Sequence, residues 1–336
     1  MRAFRTLALG LAGAVLSLGL AACGSGEPAS DGGAATASTE PSSGDAAFPR
    51  TVRHAMGETE IPARPERVVA LDQSFVDAVL ALETDVVGYT TYRSIEEKLP
   101  DYLGPALAEH GKEATSVGTL ESPSLEQVIA LKPDLIVSAK VRHEALYDKL
   151  SQIAPTVFSE TTGAIWKDNL RLVGQALGKE ELAESKIKEY EERAAAIGKG
   201  IEDKLGEMPT VSVVRFAGEP TVRLYVENSY SGLVLKDVGF PRPKDQPTTT
   251  EAIAVDISEE NIAQLDADHI FVATYDDPSV SESKERFLRN PLWDRLKGEK
   301  HEVSDLTWMT AVGLLGAHAM LDDIASMFGV DPAASG

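Results

Sequence analysis

The chain has 336 residues with 32 basic and 53 acidic side chains, a formal net charge of −21. That balance argues against nucleic acid or anionic lipid headgroups as partners, because both would be repelled. The length is enough for two lobes of ordinary domain size.

At the N-terminus, Arg2 and Arg5 precede an almost wholly apolar or small run from Leu7 to Ala22. The run is too short and too poor in large side chains for a comfortable bilayer span, and it fits a secretory signal over residues 1–22. It ends in Leu20-Ala21-Ala22-Cys23-Gly24, and Cys23 is the only cysteine in the chain. An exported protein has no disulfide to make from one cysteine, so a different use is expected for it. The segment resembles a bacterial lipobox, which implies cleavage before Cys23, diacylation of that cysteine with palmitate-like chains, and a lipid anchor at the extracytoplasmic face of the cell membrane. Residues 24–47 are Gly, Ala, Ser, Thr, Pro and acidic side chains. Such a stretch buries too little surface to offset its ordering entropy, so residues 23–47 are expected to be a disordered tether reaching about 25–30 Å.

The folded part opens on a short hairpin turning at Gly57, followed by a strand from Arg67 to Leu71. Helical spacing follows at Val76, Val79, Leu80 and Leu82, then a strand over Val86–Tyr89 and a polar loop around Tyr92 and Arg93. Ser124 and Gln127 have the spacing of a capping box for a helix running to Leu131, ahead of a buried-type strand from Asp134 to Val137. This unit recurs without gaps: Ser124, Glu126, Leu131, Asp134, Ile136 and Ala139 match Ser258, Glu260, Leu265, Asp268, Ile270 and Ala273. The repeat predicts two lobes of matching topology, each with a capped helix feeding a buried strand. Between the copies, Ala183, Ile187, Tyr190, Ala194, Ile197, Ile201 and Leu205 fall in steps of three and four, defining one face of a helix roughly 40 Å long. The expected order is therefore an N-terminal α/β lobe over 48–178, a connecting helix over 179–206 and a C-terminal α/β lobe over 207–330. The fold class is α/β: two Rossmann-like lobes joined by one long rigid helix, with the ligand cleft between them.

These features resemble the helical-backbone class of binding proteins that serve ABC importers. The phrases Ile61-Pro-Ala-Arg-Pro-Glu-Arg-Val-Val-Ala-Leu71 and Pro123-Ser-Leu-Glu-Gln-Val-Ile-Ala-Leu-Lys-Pro-Asp-Leu-Ile136 are similar to its N-lobe segments. The stretch from Arg142 to Pro155 and Arg223-Leu-Tyr225 resemble its ferric-hydroxamate branch, and the likeness runs from about residue 48 to residue 329. The resemblance implies a monomeric receptor that captures an Fe(III)–siderophore complex and delivers it to a permease and its ATPase. It also implies docking of Glu126 and Glu260 against permease arginines.

A ferric siderophore brings its own filled coordination shell, so the receptor needs no cofactor and no metal ligands. It needs arginine forks aimed at chelator oxygens, with aromatic surfaces for the linkers. In open α/β sheets such residues lie in loops after strands. Arg142 follows one strand, Arg215 ends another, and Arg223 and Tyr225 share a face of the next. Tyr230 and Ser231 begin the following helix, Trp308 sits in a loop before the final helix, and Tyr89, Arg93 and Trp166 are candidates on the other lobe. The hydroxamate receptors of Gram-negative bacteria carry an arginine just before the Pro-x-Leu-Glu segment. Leu120 stands in that place, so this chain resembles their Gram-positive counterparts more closely.

The alternative is a haem or cobalamin receptor of the same fold, with Tyr225 or Tyr230 offered as a haem ligand. A bare-metal receptor is disfavoured because the six histidines are scattered, with no two spaced as a local ligand pair. No nucleophile elbow, Walker loop, zincin motif or dinucleotide fingerprint occurs, so an enzyme is not expected.

Overall fold

The computed structural model describes residues 48–92, 98–275 and 277–333. The leader, Cys23, the tether and Arg93 lie outside the described residues. The described chain opens with the hairpin β1 (Arg50–His54) and β2 (Gly57–Ile61), which closes at Gly57. Next come β3 (Arg67–Ala70), α1 (Gln73–Ala81), β4 (Asp85–Thr91), α2 (Gly104–His110), β5 (Thr115–Thr119) and β6 (Ser122–Pro123). They are followed by α3 (Leu125–Leu131), β7 (Leu135–Ala139), α4 (Lys140–His143), α5 (Tyr147–Ser151) and β8 (Thr156–Ser159). Among the described residues these strands form a sheet of order β6-β5-β4-β3-β7-β8, parallel except for the β5–β6 pair.

Two helices, α6 (Trp166–Leu177) and α7 (Glu180–Leu205), lead to β9 (Val211–Phe216), β10 (Val222–Tyr225), α8 (Tyr230–Val238) and β11 (Ala254–Ile257). The chain then forms β12 (His269–Thr274), α9 (Pro278–Leu288), β13 (Glu299–Val303) and α10 (Leu314–Phe328). This second sheet has the order β11-β10-β9-β12-β13; β9, β12 and β13 are parallel, while β10 runs antiparallel to both its neighbours. The α/β two-lobe architecture is therefore the one expected, with an antiparallel edge on the second lobe.

Strand alternation places the cores. Along β7, Leu135, Val137 and Ala139 join one apolar cluster while Ile136 joins another on the opposite face. In β12, Phe271 and Ala273 share the first cluster, and Ile270 and Val272 face a third. The period of two thus gives each sheet an inner and an outer face. Both inner faces meet a shared layer built from α1, α6, α7, α8 and α10. The lobes are consequently joined by a continuous core as well as by one helix.

The connecting helix α7 buries Ala183, Ile187, Tyr190, Ala194, Ile197 and Ile201, as its periodicity predicts. Leu205 does not follow: it is 49 % exposed, because the helix stops there at the left-handed Gly206 and its last residue overhangs the core. Arg193 is buried on the same face, where it donates to the carbonyls of Pro332 and Ala333 and pairs with Asp322. Gly198 sets the helix spacing, since a Cβ there would collide with the Val238 carbonyl of α8.

The repeated units diverge. Ser124 caps α3 by accepting from the Gln127 amide, but its own amide donates to Val117, so only half of the capping box forms. In the second copy Glu259–Leu265 is a 3-10 helix, and the Ser258 hydroxyl accepts from the Asn261 side chain without capping the backbone. The matching strands β7 and β12 do occupy corresponding buried places.

Across the lobes, the Asp77 carboxyl of α1 accepts from the amides of Leu315 and Gly316, both at 3.0 Å, at the start of α10. Gly313 allows this approach, because a Cβ there would strike the carboxyl group. Asp77 is fully buried, and burial raises its pKa from 3.8 to about 7 despite the amides. The folded chain thus holds this proton more tightly than the unfolded chain does. Asp77 favours folding most below about pH 4, and that contribution is lost as the pH rises to about 7. We predict that unfolding stability declines from about pH 4 to about pH 7 by up to roughly 4 kcal/mol from this group, and that Asp77→Asn flattens the decline. Urea unfolding at fixed ionic strength measures both; an equal slope in the variant would refute the assignment.

Candidate functional site

The carboxyl ends of the parallel strands from both sheets converge on one cleft, a cavity of about 350 Å³. From the N-terminal lobe come Asp72 and Gln73 after β3, Tyr92 after β4, Arg142 after β7 and Thr161 after β8. The C-terminal lobe contributes Arg215 from β9, Arg223 and Tyr225 from β10, Tyr230 from α8 and Trp308 after β13. Five expected contacts of the second lobe and Arg142 of the first are thereby brought together. Leu120, standing where a related pattern has arginine, also lines the wall. Its carbonyl meets the buried His143 ring at 2.6 Å, and His143 in turn meets Ser138 at 2.7 Å.

Each arginine is paired with a carboxylate, and each pair differs. In the β9–β10 register Arg215 sits directly opposite Arg223, a like-charge juxtaposition that costs energy unless neutralised. Asp305 takes the Arg215 fork at 2.5 and 2.7 Å, while the third donor reaches the Tyr225 hydroxyl at 3.1 Å. Burial works to lower the Arg215 pKa, but these bonds outweigh it and hold the guanidinium more firmly charged than usual. Arg223 pairs with Glu219 on the turn between the strands. Arg142 commits its Nε to Asp72 at 2.9 Å, and Asp72 also caps α1 through the Ser74 amide and hydroxyl. Arg215 is therefore locked into the wall, whereas the partly exposed Arg142 and Arg223 retain guanidinium edges toward the cleft.

The aromatic candidates divide. Trp308 is fully buried in a π-helical turn, Leu306–Thr310, and donates to Asp323 at 2.8 Å, so it forms wall and not an exposed loop platform. Tyr230 is also buried and donates to the Gly313 carbonyl at 2.8 Å. Trp166 does not reach the cleft. It packs edge-on against Tyr190 and Tyr230 in the helical layer, because the first turn of α6 faces the core. Tyr89 is likewise a core residue.

Several cleft residues escaped sequence reasoning. Val141 and Ile253 are 60 % and 49 % exposed and stand as apolar side chains on opposite sides of the cavity. Gln73 of α1 lines the cleft as well, and its Oε1, like the Oγ of Ser231, which was expected there beside Tyr230, is buried with no protein hydrogen-bond partner. Val312 adopts φ = 48°, an unfavourable left-handed conformation for a β-branched residue, on the turn before Gly313. Outside the cleft, β12–β13 pairing brings His269 and His301 together, so the expectation of scattered histidines fails there.

Two α/β lobes with an arginine-bearing cleft between them, joined by a helical layer, define a solute-binding protein. Residues 68–302 match the model for the family described as periplasmic binding protein. The chain belongs to that family. It is 37 % identical over 296 residues to the probable siderophore-binding lipoprotein YfiY of Bacillus subtilis, covering 83 % of this chain and 87 % of that protein. It is 33 % identical to the achromobactin-binding periplasmic protein of Dickeya dadantii, covering 79 % and 87 % of the two chains. The structure also superposes on Staphylococcus aureus SirA complexed with staphyloferrin B, with a TM-score of 0.74 and 32 % identity over 84 % of this chain and 99 % of that one.

Burial decides what each arginine contributes to folding. Removing one member of the enclosed Arg215–Asp305 pair strands a charge, so Arg215→Ala should cost about 3–5 kcal/mol of unfolding free energy. Arg215→Met with Asp305→Leu should cost much less, and Arg223→Ala, from the pair that is partly exposed at both ends, under about 1 kcal/mol. Denaturant titration of the three variants checks this order.

Proposed function

We propose that the chain is a lipid-anchored extracytoplasmic receptor that binds a ferric siderophore and presents it to an ABC importer. The observation that carries this reading is the cleft itself: Arg142 and Arg223 line it from opposite lobes, each only partly buried beside its carboxylate partner. Val141 and Ile253 offer apolar contact to a chelator's linkers. The similarity to a siderophore-binding lipoprotein and to SirA supports the cargo class and the anchor at Cys23. No metal ligand of the protein is required, because the iron arrives already coordinated.

Within that class we favour a ferric hydroxamate. Three hydroxamates cancel the charge of Fe(III), giving a neutral chelate, and the three cleft arginines among the described residues are themselves balanced by Asp72, Asp305 and Glu219. A strongly anionic catecholate would have to displace those carboxylates. Docking to the permease is assigned to Glu126 and Glu260, both exposed at the first turn of a helix.

Titrating the purified chain with ferrioxamine-type, citrate-type and catecholate chelates, haem and cobalamin separates the readings through quenching of tryptophan fluorescence, since Trp308 lines the cleft. Saturable binding of the ferric hydroxamate, weakened about tenfold or more by Arg142→Ala or Arg223→Ala, is the expected result. Tighter binding of ferric citrate would replace the hydroxamate assignment, and a response to haem or cobalamin alone would overturn the siderophore reading. Combining Glu126→Ala with Glu260→Ala should leave the affinity unchanged and reduce uptake by cells.

A further inference from the structure

The second sheet carries a cluster of ligand-type side chains at the end away from the cleft. In the parallel β12–β13 register His269 lies beside Glu299 and Phe271 beside His301. Residues two apart share a strand face, so His269, Glu299 and His301 project from the same side of the sheet. Arg215 stands on that face too, opposite Ala273, four residues along β12 from His269. At about 3.3 Å per residue this separates the cluster from the arginine by roughly 13 Å.

We infer that His269, His301 and Glu299 form a binding site for a divalent transition-metal ion of the zinc type. His269 Nδ1 is 2.9 Å from His301 Nε2 and 3.9 Å from a Glu299 oxygen. One ligand atom from each of the three lies within 4.8 Å of the others. Zinc holds nitrogen and oxygen ligands at about 2.0–2.2 Å, which in a tetrahedron sets them about 3.3 Å apart. The histidine nitrogens need to part by only a few tenths of an ångström, and the Glu299 side chain, 69 % exposed, is free to swing inward.

The metal-free arrangement supports the assignment. The two imidazole nitrogens face each other across one hydrogen bond, so one ring donates the proton and the other accepts; a cation takes that proton's place. Their rings stack at 27°, and Phe328 of α10 packs edge-on against His269 with centroids 4.6 Å apart, forming an apolar wall. Asp268 is not a fourth ligand, because its carboxylate is held by the Thr210 amide and hydroxyl at 2.8 and 2.7 Å. The site offers three protein ligands and leaves the remaining position to water. It would tie the first residues of β12 to those of β13, and it is independent of the cargo proposed for the cleft.

The test is titration of the EDTA-treated full chain with Co²⁺ alone, followed by its visible absorption, and then displacement by Zn²⁺. The expected result is a saturable four-coordinate cobalt spectrum with one equivalent bound. Affinity should fall at least about tenfold in His301→Ala and, separately, in Glu299→Gln, an exposed substitution that leaves the fold intact. His110→Ala, which removes a histidine paired with Asp85 in the other lobe, and Arg142→Ala should both leave metal binding unchanged. A weak octahedral spectrum without saturation, or an affinity unaltered in both Glu299→Gln and His301→Ala, would overturn the site. Either outcome is distinct from the siderophore titration, which reads the cleft.

Discussion

A carboxyl group from one lobe caps a helix of the other, and the geometry of the cleft follows from that contact. Asp77 of α1 meets the first amides of α10, satisfying two of the donors that every helix leaves unpaired at its start. To bring α10 this close, the chain needs Gly313 at the contact and a left-handed Val312 before it. That turn directly follows the π-helical Leu306–Thr310 segment, which carries Trp308 into the cleft wall and begins next to Asp305. Asp305 in turn holds Arg215. One interlobe contact is thus linked through a dozen residues to the charge arrangement that faces the ligand.

The cleft reconciles an acidic protein with a cluster of arginines. Placing Arg215 and Arg223 opposite each other on antiparallel strands concentrates positive charge, and local carboxylates neutralise it before any ligand arrives. The buried pair serves geometry: all three donor groups of Arg215 are occupied, so it fixes the Tyr225 hydroxyl and the wall. The more exposed pairs are the adaptable ones, since water screens them and a guanidinium has donors to spare. The same face of the same sheet carries two chemistries at its two ends, arginine forks at the carboxyl ends of the strands and imidazoles near their start.

Much of the layering was legible from residue order. Alternating apolar residues in β7, β9 and β12 and the three-and-four spacing of α7 specify which faces are buried, because those periods are properties of the backbone. Arg142, Arg215, Arg223 and Tyr225 were legible as cleft residues because strand ends converge in an open α/β sheet. Trp166 was misplaced, since an aromatic at a helix start reads the same whether the helix turns it to solvent or to the core. Leu205 and the second helix of the repeat failed for a related reason: helical spacing does not say where a neighbouring element ends, nor whether a serine hydroxyl finds an amide or an asparagine side chain.

By itself the sequence determined the α/β class, the order of the two lobes around a long amphipathic helix, and the arginine chemistry of the region between them. These depend on local periodicity and on side-chain type, both of which are written into each short segment. Only the tertiary structure decided which arginine is locked and which is available, because their partners Asp72 and Asp305 stand 70 and 90 residues away in the chain. It likewise decided that Asp77 joins the lobes across 238 residues and that His269 meets His301 across 32. Pairings over such separations are set by sheet register and helix packing, which no local pattern encodes.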